Sequence, residues 1–310
     1  VLWGTHAVHH QSEEYNLSVA LRQSAIQSLG SMWFYLPLAW IGFSPEAFIT
    51  INAIQTLYQF WIHTRTINKM PAWFEYVFNT PAHHRVHHGV EPKYIDRNHG
   101  GTLILFDRWF GTFQAEEEEA HYGVTKPVNT WNPVWVNFEY YKWMWPVFME
   151  AKGFDKIRVL LNKPGWRPDY LGGALLPGEV APDYQKYDMD VAPKMQYYVF
   201  FQFLLVLVGT SLFLFSFEKM PWWERTVDVF LILWSVINIG GILDQKKWVF
   251  VSEMIRLIVI AGALLYMIPS LDWMLKAGIV GLMMISFMIY LTFKRSDSLN
   301  NSSKFAKSTS

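Results

Sequence analysis

The chain has no cysteine. That excludes a disulfide scaffold and any site in which thiolates hold zinc or an iron–sulfur cluster. Charge is scarce: 17% of the residues are Asp, Glu, Lys or Arg, against about 25% in an ordinary soluble domain. The 26 basic and 26 acidic residues cancel, so no field of one sign calls for nucleic acid. No histidine follows His121, which confines imidazole chemistry to the first part of the chain. What is abundant is apolar and aromatic. Hydrophobic residues make up 52%, aromatics 17%, and there are 16 Trp. Such a chain has enough apolar surface to exclude disorder, and much of it is expected to face lipid. The 310 residues allow about two domains. Val1 stands first, inside what reads as a running helix and without a signal-peptide pattern, so the sequence reads as N-terminally truncated.

Six uncharged or nearly uncharged runs predict helices near the ~20 residues that cross a bilayer. The first two, 26–43 and 45–62, are separated by Ser44 alone and predict a tight helical hairpin. The other four, 197–217, 227–243, 249–269 and 277–293, follow one another closely and predict a four-helix transmembrane block over 196–295. Trp222, Trp223, Trp248 and Trp273 stand at run ends, where interfacial aromatics belong. Glu253 and Arg256 fall early in the 249–269 run, placed either at the interface or to pair across one turn. The stretch 64–195 is polar and has no spanning run; 140–148 is aromatic but too short to cross, and reads as lying on the membrane surface. Residues 165–193 read as a loop, and 296–310 as a disordered tail rich in Ser, Asn and Lys. With the polar middle cytosolic, Lys246, Lys247, Lys294 and Arg295 also fall inside, in agreement with the positive-inside rule. The expected fold class is an all-α integral membrane protein.

The histidines carry the chemistry. Two short clusters, His6-Ala-Val-His9-His10 and His83-His84-Arg85-Val86-His87-His88, each contain H-x-x-H-H. On a helix, residues i, i+3 and i+4 lie within about a 100° arc. His6, His9 and His10 therefore share one face, as do His84, His87 and His88, while His83 lies about 100° off and is the weaker candidate. The hairpin between the clusters returns the chain to its starting side, so both meet at one membrane face, with His63 where the second hairpin helix emerges. Six or seven imidazoles are too many for a single tetrahedral zinc and suit a dinuclear centre. Imidazole spacing leaves the metal open among iron, zinc, copper and nickel.

Two such boxes around a membrane hairpin resemble the fatty acid hydroxylase / sterol desaturase superfamily of integral-membrane di-iron oxidoreductases. The strings Leu2-Trp3 to His9-His10, Ser12 to Ser18, Ala20 to Ser24, Tyr58 to Thr64, Asn79-Thr80-Pro81 and Asp107-Arg108 with Phe110 to Phe113 carry the resemblance further. So do Ile95-Asp96 with Asn98, Pro164-Gly165-Trp166 and Leu243-Asp244-Gln245. They resemble the branch of the family that cleaves the O-alkyl ether bond of alkylglycerol lipids with O2, two non-haem iron ions and tetrahydrobiopterin. The resemblance implies a catalytic domain over 1–195 whose first His box lies upstream of Val1, C-terminal transmembrane helices over 196–295, and a cytosolic catalytic cap. It implies metal ligation by His6, His9, His10, His63, His84, His87 and His88. His83 and Gln59 are further ligand candidates, Gln59 standing where relatives carry a second His. Glu13, Glu14, Asp96 and Asp107 are candidates to hold the far ring nitrogens, the alternative being surface or capping roles. No other catalytic residue is implied, and no residue marks the pterin site. His99 replaces a common Tyr and is not counted; His121 reads as an exposed loop residue.

The expected partner is a membrane lipid substrate, with the C-terminal helices shaping lipid entry or supporting a homodimer. The expected location is the endoplasmic reticulum in a eukaryote or the inner membrane in a bacterium. A rival within the family is sterol desaturation or fatty acid or carotenoid hydroxylation. A rival of another class is a non-redox, His-rich zinc-binding membrane protein, which predicts His or acidic residues along the spanning helices. The acidic run 116–119 reads as a solvated loop rather than a calcium site.

Overall fold

A computed structural model describes residues 2–181, 183–267 and 272–308. Among them the backbone is helical, and the only strand-like pairings are two isolated antiparallel bridges, Phe78 with Leu103 and Gly89 with Tyr122. Two compact units form: 1–129 with 136–187, and 130–135 with 188–310. The division near 187 falls a few residues before the 195 expected from composition.

The first unit contains α1 (Leu2–His10), α2 (Leu17–Ala20), α3 (Gln27–Ile41), α4 (Pro45–Ile62), α5 (Ala72–Val77), α6 (Pro81–His88), α7 (Leu105–Phe110), α8 (Glu139–Glu150) and α9 (Asp155–Leu161). Helices α3 and α4 form the expected hairpin, and its turn is written in the sequence. Gly42 takes φ 98°, the left-handed conformation in which only glycine is unstrained, and closes α3 while Phe43 N–H bonds the Leu38 carbonyl. Ser44 then caps α4 by accepting from Ala47 N–H, with Pro45 in the first turn and Glu46 beside the helix dipole. α3 has 15 residues and α4 has 18, and neither is among the four described helices long and apolar enough to cross. The caps shorten α3, and Asn52, Gln55, Thr56 and Gln59 dilute the apolar content of α4. Both arms nonetheless expose apolar side chains such as Trp33, Trp40, Ile49 and Leu57. α1 packs on α3 and α8, and α4 packs on α6. That contact brings the chain from His63 back to the second His cluster.

The second unit holds the four membrane-length helices α10 (Pro193–Ser216), α11 (Trp222–Leu243), α12 (Val249–Met267) and α13 (Trp273–Ser308). Each neighbour in sequence packs on the next and α13 closes back on α10, as expected for short connections in an up-and-down bundle. Beyond Gly281, α13 continues without Gly or Pro into the Ser- and Lys-rich stretch expected as a disordered tail, while residues 268–271, 309 and 310 lie outside the described part. Segment 130–135 joins this unit through Asp244, which accepts from Trp131 N–H at 2.8 Å and from the Thr130 hydroxyl. A Cβ on Gly240 would sit 2.6 Å from the Asn132 Cα, so the helix needs glycine where that segment crosses.

The bundle's outer faces are apolar, and its interior joins an apolar cluster around Met195, Val199, Ile242 and Val249 to a polar network. Glu253 and Arg256 are both buried and form a two-pronged pair at 2.6 and 2.8 Å. Of the two placements open in the sequence, the structure takes the pair across one turn. Arg256 also donates to Ser235 of α11 and Gln202 of α10. Glu253 also accepts from Tyr198 of α10 and Asn238 of α11. Removing one partner strands a charge in a low-dielectric interior, which costs about 3–5 kcal/mol. Arg256→Met is expected to lower unfolding stability in detergent by that amount, and Glu253→Met/Arg256→Met to recover most of it. Equal losses in the single and double variants would remove the charge pair from the account.

Candidate metal centre

The two H-x-x-H-H boxes become α1 and α6, and the structure sorts their rings into two groups. His9, His63, His84 and His88 form one, all four buried; His6, His10 and His87 form the other. Within each group the available ring nitrogens lie within 4.8 Å of one another. α6 gives the i, i+4 pair His84 and His88 to the first group and His87 to the second. α1 gives His9 to the first and the i, i+4 pair His6 and His10 to the second. His63, the residue that ends α4, completes the first group. The groups adjoin: the His10 ring stacks on His88 with centroids 4.3 Å apart.

Backbone carbonyls set the tautomers. His9 Nδ1 lies 3.1 Å from the Arg22 carbonyl, His63 Nδ1 2.6 Å from that of Gln59, and His87 Nδ1 3.2 Å from that of Arg97. A carbonyl only accepts, so each Nδ1 carries the proton and each Nε2 keeps a bare lone pair. Yet His63 Nε2 faces His9 Nε2 at 3.2 Å and His84 Nε2 at 3.1 Å. In the other group His10 Nε2 lies 3.0 Å from His6 Nε2. Where both rings carry the proton on Nδ1, as His9 and His63 do, the facing Nε2 lone pairs repel unless a cation sits between them. Nitrogens bound at about 2.0–2.1 Å to one ion stand about 2.9–3.4 Å apart, so these spacings fit shared metals. His88 Nε2 is buried with no protein partner, which adds to the case. The donor set is all imidazole and therefore suits iron, zinc, copper or nickel.

Burial keeps these rings neutral. Desolvation is the largest cause at each, followed at His6 by the positive charge that neighbouring rings would carry. It lowers His6 to about 3, and His63 and His87 to about 4. His10, His84 and His88 are pushed well below the ordinary imidazole value, and His9 is lowered too.

The remaining candidates fall elsewhere. His83 points away, edge-on to Phe113, as its 100° offset implies. Gln59 contributes its backbone carbonyl to His63, and its side-chain amide lies beside Gly101. Glu13 accepts from the Tyr184 hydroxyl and Tyr187 N–H, and Glu14 pairs with Lys186. Asp96 pairs with Lys163. Asp107 is buried and ties a loop by accepting from His99 N–H, Gly100 N–H and the Thr112 hydroxyl. None of these four carboxylates is hydrogen-bonded to a ring of the two groups; carbonyls of Arg22, Gln59 and Arg97 take that place. His99 is exposed, and His121 bonds Glu91.

Three residues outside the candidate set hold the centre. Arg22 donates to the Val8 carbonyl at the end of α1 while its own carbonyl holds His9. Tyr15 is buried, stacks on His63 and donates to the Ile62 carbonyl. Arg85, the lone cation in its box, bonds the carbonyls of Thr64, Ile67 and Asn68 and both oxygens of Glu116. The acidic run is therefore not wholly solvated. Glu116 is covered by Arg85, Glu117 and Glu118 meet Lys93, and Glu119 meets Arg65. A single cation inside a neutral His box was the available signal for Arg85.

Comparison with known proteins places these residues in context. Residues 1–112 match the family model of the fatty acid hydroxylases. The chain is similar to the alkylglycerol monooxygenase of Danio rerio, 38% identical over 90% of this chain and 64% of the relative. It is similar to that of Homo sapiens, 36% identical over 88% and 62%, and of Xenopus tropicalis, 39% over 83% and 58%. The chain thus spans less than two thirds of the length of these relatives. No solved structure matches it.

Two outcomes follow. A proton displaces a metal from these rings only as pH falls through their lowered values. Bound metal, measured by elemental analysis after equilibration, is expected to stay constant from about pH 8 to about 5 and to fall near 4. A loss centred at the ordinary value near 6.5 would contradict the burial. Arg85→Lys keeps the charge but lacks the planar fork. It is expected to cost about 2–4 kcal/mol of stability and to lower metal retention; parent-like retention would show that the clamp does not hold the box.

Proposed function

We propose, for a chain whose residues 1–112 match the family model of the fatty acid hydroxylases, that it is a membrane monooxygenase cleaving the O-alkyl ether bond of alkylglycerol lipids. The observation that carries this reading is the pair of adjoining imidazole groups, four rings and three, held neutral in a buried space. The name borne by the relatives supports the choice of substrate. Two non-haem iron ions with O2 would supply the oxidising power, and tetrahydrobiopterin the two electrons.

In the balanced reaction, one atom of O2 enters as a hydroxyl on the alkyl carbon next to the ether oxygen, and the other leaves as water. The resulting hemiacetal breaks its carbon–oxygen bond to give a fatty aldehyde and a free glycerol hydroxyl, while the tetrahydropterin becomes a dihydropterin. His9, His63, His84 and His88 would hold one ion, and His6, His10 and His87 the other. The second set offers three rings and so leaves coordination positions open. Burial excludes water from the first set, and the carbonyls of Arg22, Gln59 and Arg97 fix the rings so that Nε2 is free at neutral pH. The four membrane-length helices support an integral membrane protein that meets its lipid from within the bilayer. We place the catalytic face in the cytosol, in the endoplasmic reticulum of a eukaryote or the inner membrane of a bacterium. A homodimer built on the C-terminal helices fits the same arrangement.

Membranes carrying the protein are expected to release fatty aldehyde from an alkylglycerol in the presence of O2 and iron, only when tetrahydrobiopterin is added. His84→Ala is expected to lower the rate at least a hundredfold. Bound iron without aldehyde would replace this reading by hydroxylation or desaturation of a sterol or acyl chain. Bound zinc without oxygen consumption would replace it by the non-redox reading.

A further inference from the structure

The aromatic segment 138–161 is neither part of the metal centre nor long enough to cross a membrane. It folds as two short helices, α8 and α9, packed on each other through Met144, Ala151 and Val159. Each helix also carries a second apolar stripe on its outside. In α8 and its N-terminal neighbour the stripe is Phe138, Trp145 and Met149, spaced seven and four apart. In α9 and its N-cap it is Phe154, Ile157 and Leu161, spaced three and four apart. All six are exposed, from 45% at Ile157 to 76% at Leu161. These spacings place each set on one helical face, with Lys142 between Phe138 and Trp145 and Arg158 between Ile157 and Leu161 on the same faces.

The rim of these stripes is basic in a chain with no net charge. Between Glu139 and Arg167 there are six basic residues and three acidic ones. Lys142 pairs with Glu139, Arg158 with Asp155 and Lys163 with Asp96, so the basic excess of the rim rests on Lys152, Lys156 and Arg167 against Glu150. The cations lean over aromatic rings, with Lys156 5.1 Å from the Phe148 ring and Lys152 5.6 Å from that of Tyr170. Long basic side chains that lie along apolar surface and keep their heads at its edge suit the boundary between headgroups and acyl chains.

We propose that this helical pair seats on an anionic lipid bilayer, with the two stripes in the acyl boundary and the basic rim among the lipid phosphates and carboxylates. A bilayer is within reach because the same chain carries four helices able to cross one. A second copy fits less well, since a symmetric contact would set the basic rim against itself. The inference stands apart from the ether-cleavage reading and survives its failure.

The absence of cysteine makes the test clean, because each introduced cysteine is a unique label site. Spin labels on Met149→Cys, Leu161→Cys and the exposed control Lys126→Cys would be placed in the full chain. The protein would be reconstituted at one copy per nanodisc, in phosphatidylcholine with or without about 30% phosphatidylglycerol. In anionic discs the labels at 149 and 161 are expected to favour oxygen over a water-soluble nickel relaxant about threefold or more relative to 126. Lys152→Gln/Lys156→Gln/Arg158→Gln is expected to abolish most of that difference, with bound metal unchanged as the sign that the first unit remains folded. Labels as water-accessible as the control in anionic discs would overturn the proposal. So would shielding that ignores the charge replacement, or shielding that appears only with two copies per disc.

Discussion

Lone pairs that converge in a buried space repel one another, and a protein keeps them there only by fixing the rings that carry them. Seven imidazoles in this chain are placed in two groups whose ring nitrogens lie within 4.8 Å of one another, while the opposite nitrogens of three rings are tied to backbone carbonyls. A proton could relieve the repulsion in water, but burial makes the charged ring costly and pushes the proton away. What remains is a set of neutral donors awaiting a cation. The hairpin that returns the chain, the Arg85 clamp on residues 64–68 and the Tyr15 bond to Ile62 all serve that placement.

Part of this was legible in the sequence, and the reason is periodicity. The i, i+3, i+4 spacing puts three rings on one helical face whatever the surroundings, and a hairpin must bring its two ends together. The partition into a group of four and a group of three was not legible. It depends on how α1 and α6 face each other, which decides that His9 joins His84 while His6 joins His87. The groups that hold the far nitrogens were not legible either. Carboxylates such as Glu13 and Asp107 were reasonable candidates because side chains are visible in a sequence. Every residue has a carbonyl, so nothing marks Arg22, Gln59 or Arg97 as the ones used.

The hairpin teaches a related lesson about length. The second arm stands at 45–62 as its letters place it and is set apart by polar Asn52, Gln55 and Gln59, while Gly42 ends the first arm early and leaves it 15 residues. Capping chemistry, visible in the same letters, decides where an apolar run stops being helix. The four later runs carry no such interruption and keep their length.

The two buried polar clusters of the molecule are opposites, and the contrast separates architecture from chemistry. In the C-terminal bundle Arg256 and Glu253 meet each other and partners on α10 and α11, so their charge is fully answered. A satisfied network of that kind adds little net stability over apolar packing, but it penalises any slip of one helix past another. In the N-terminal unit His84 Nδ1 and His88 Nε2 are buried with no protein partner. What marks the N-terminal cluster as the seat of chemistry is the convergence of its rings in two adjoining groups, with nitrogens within 4.8 Å of one another in each.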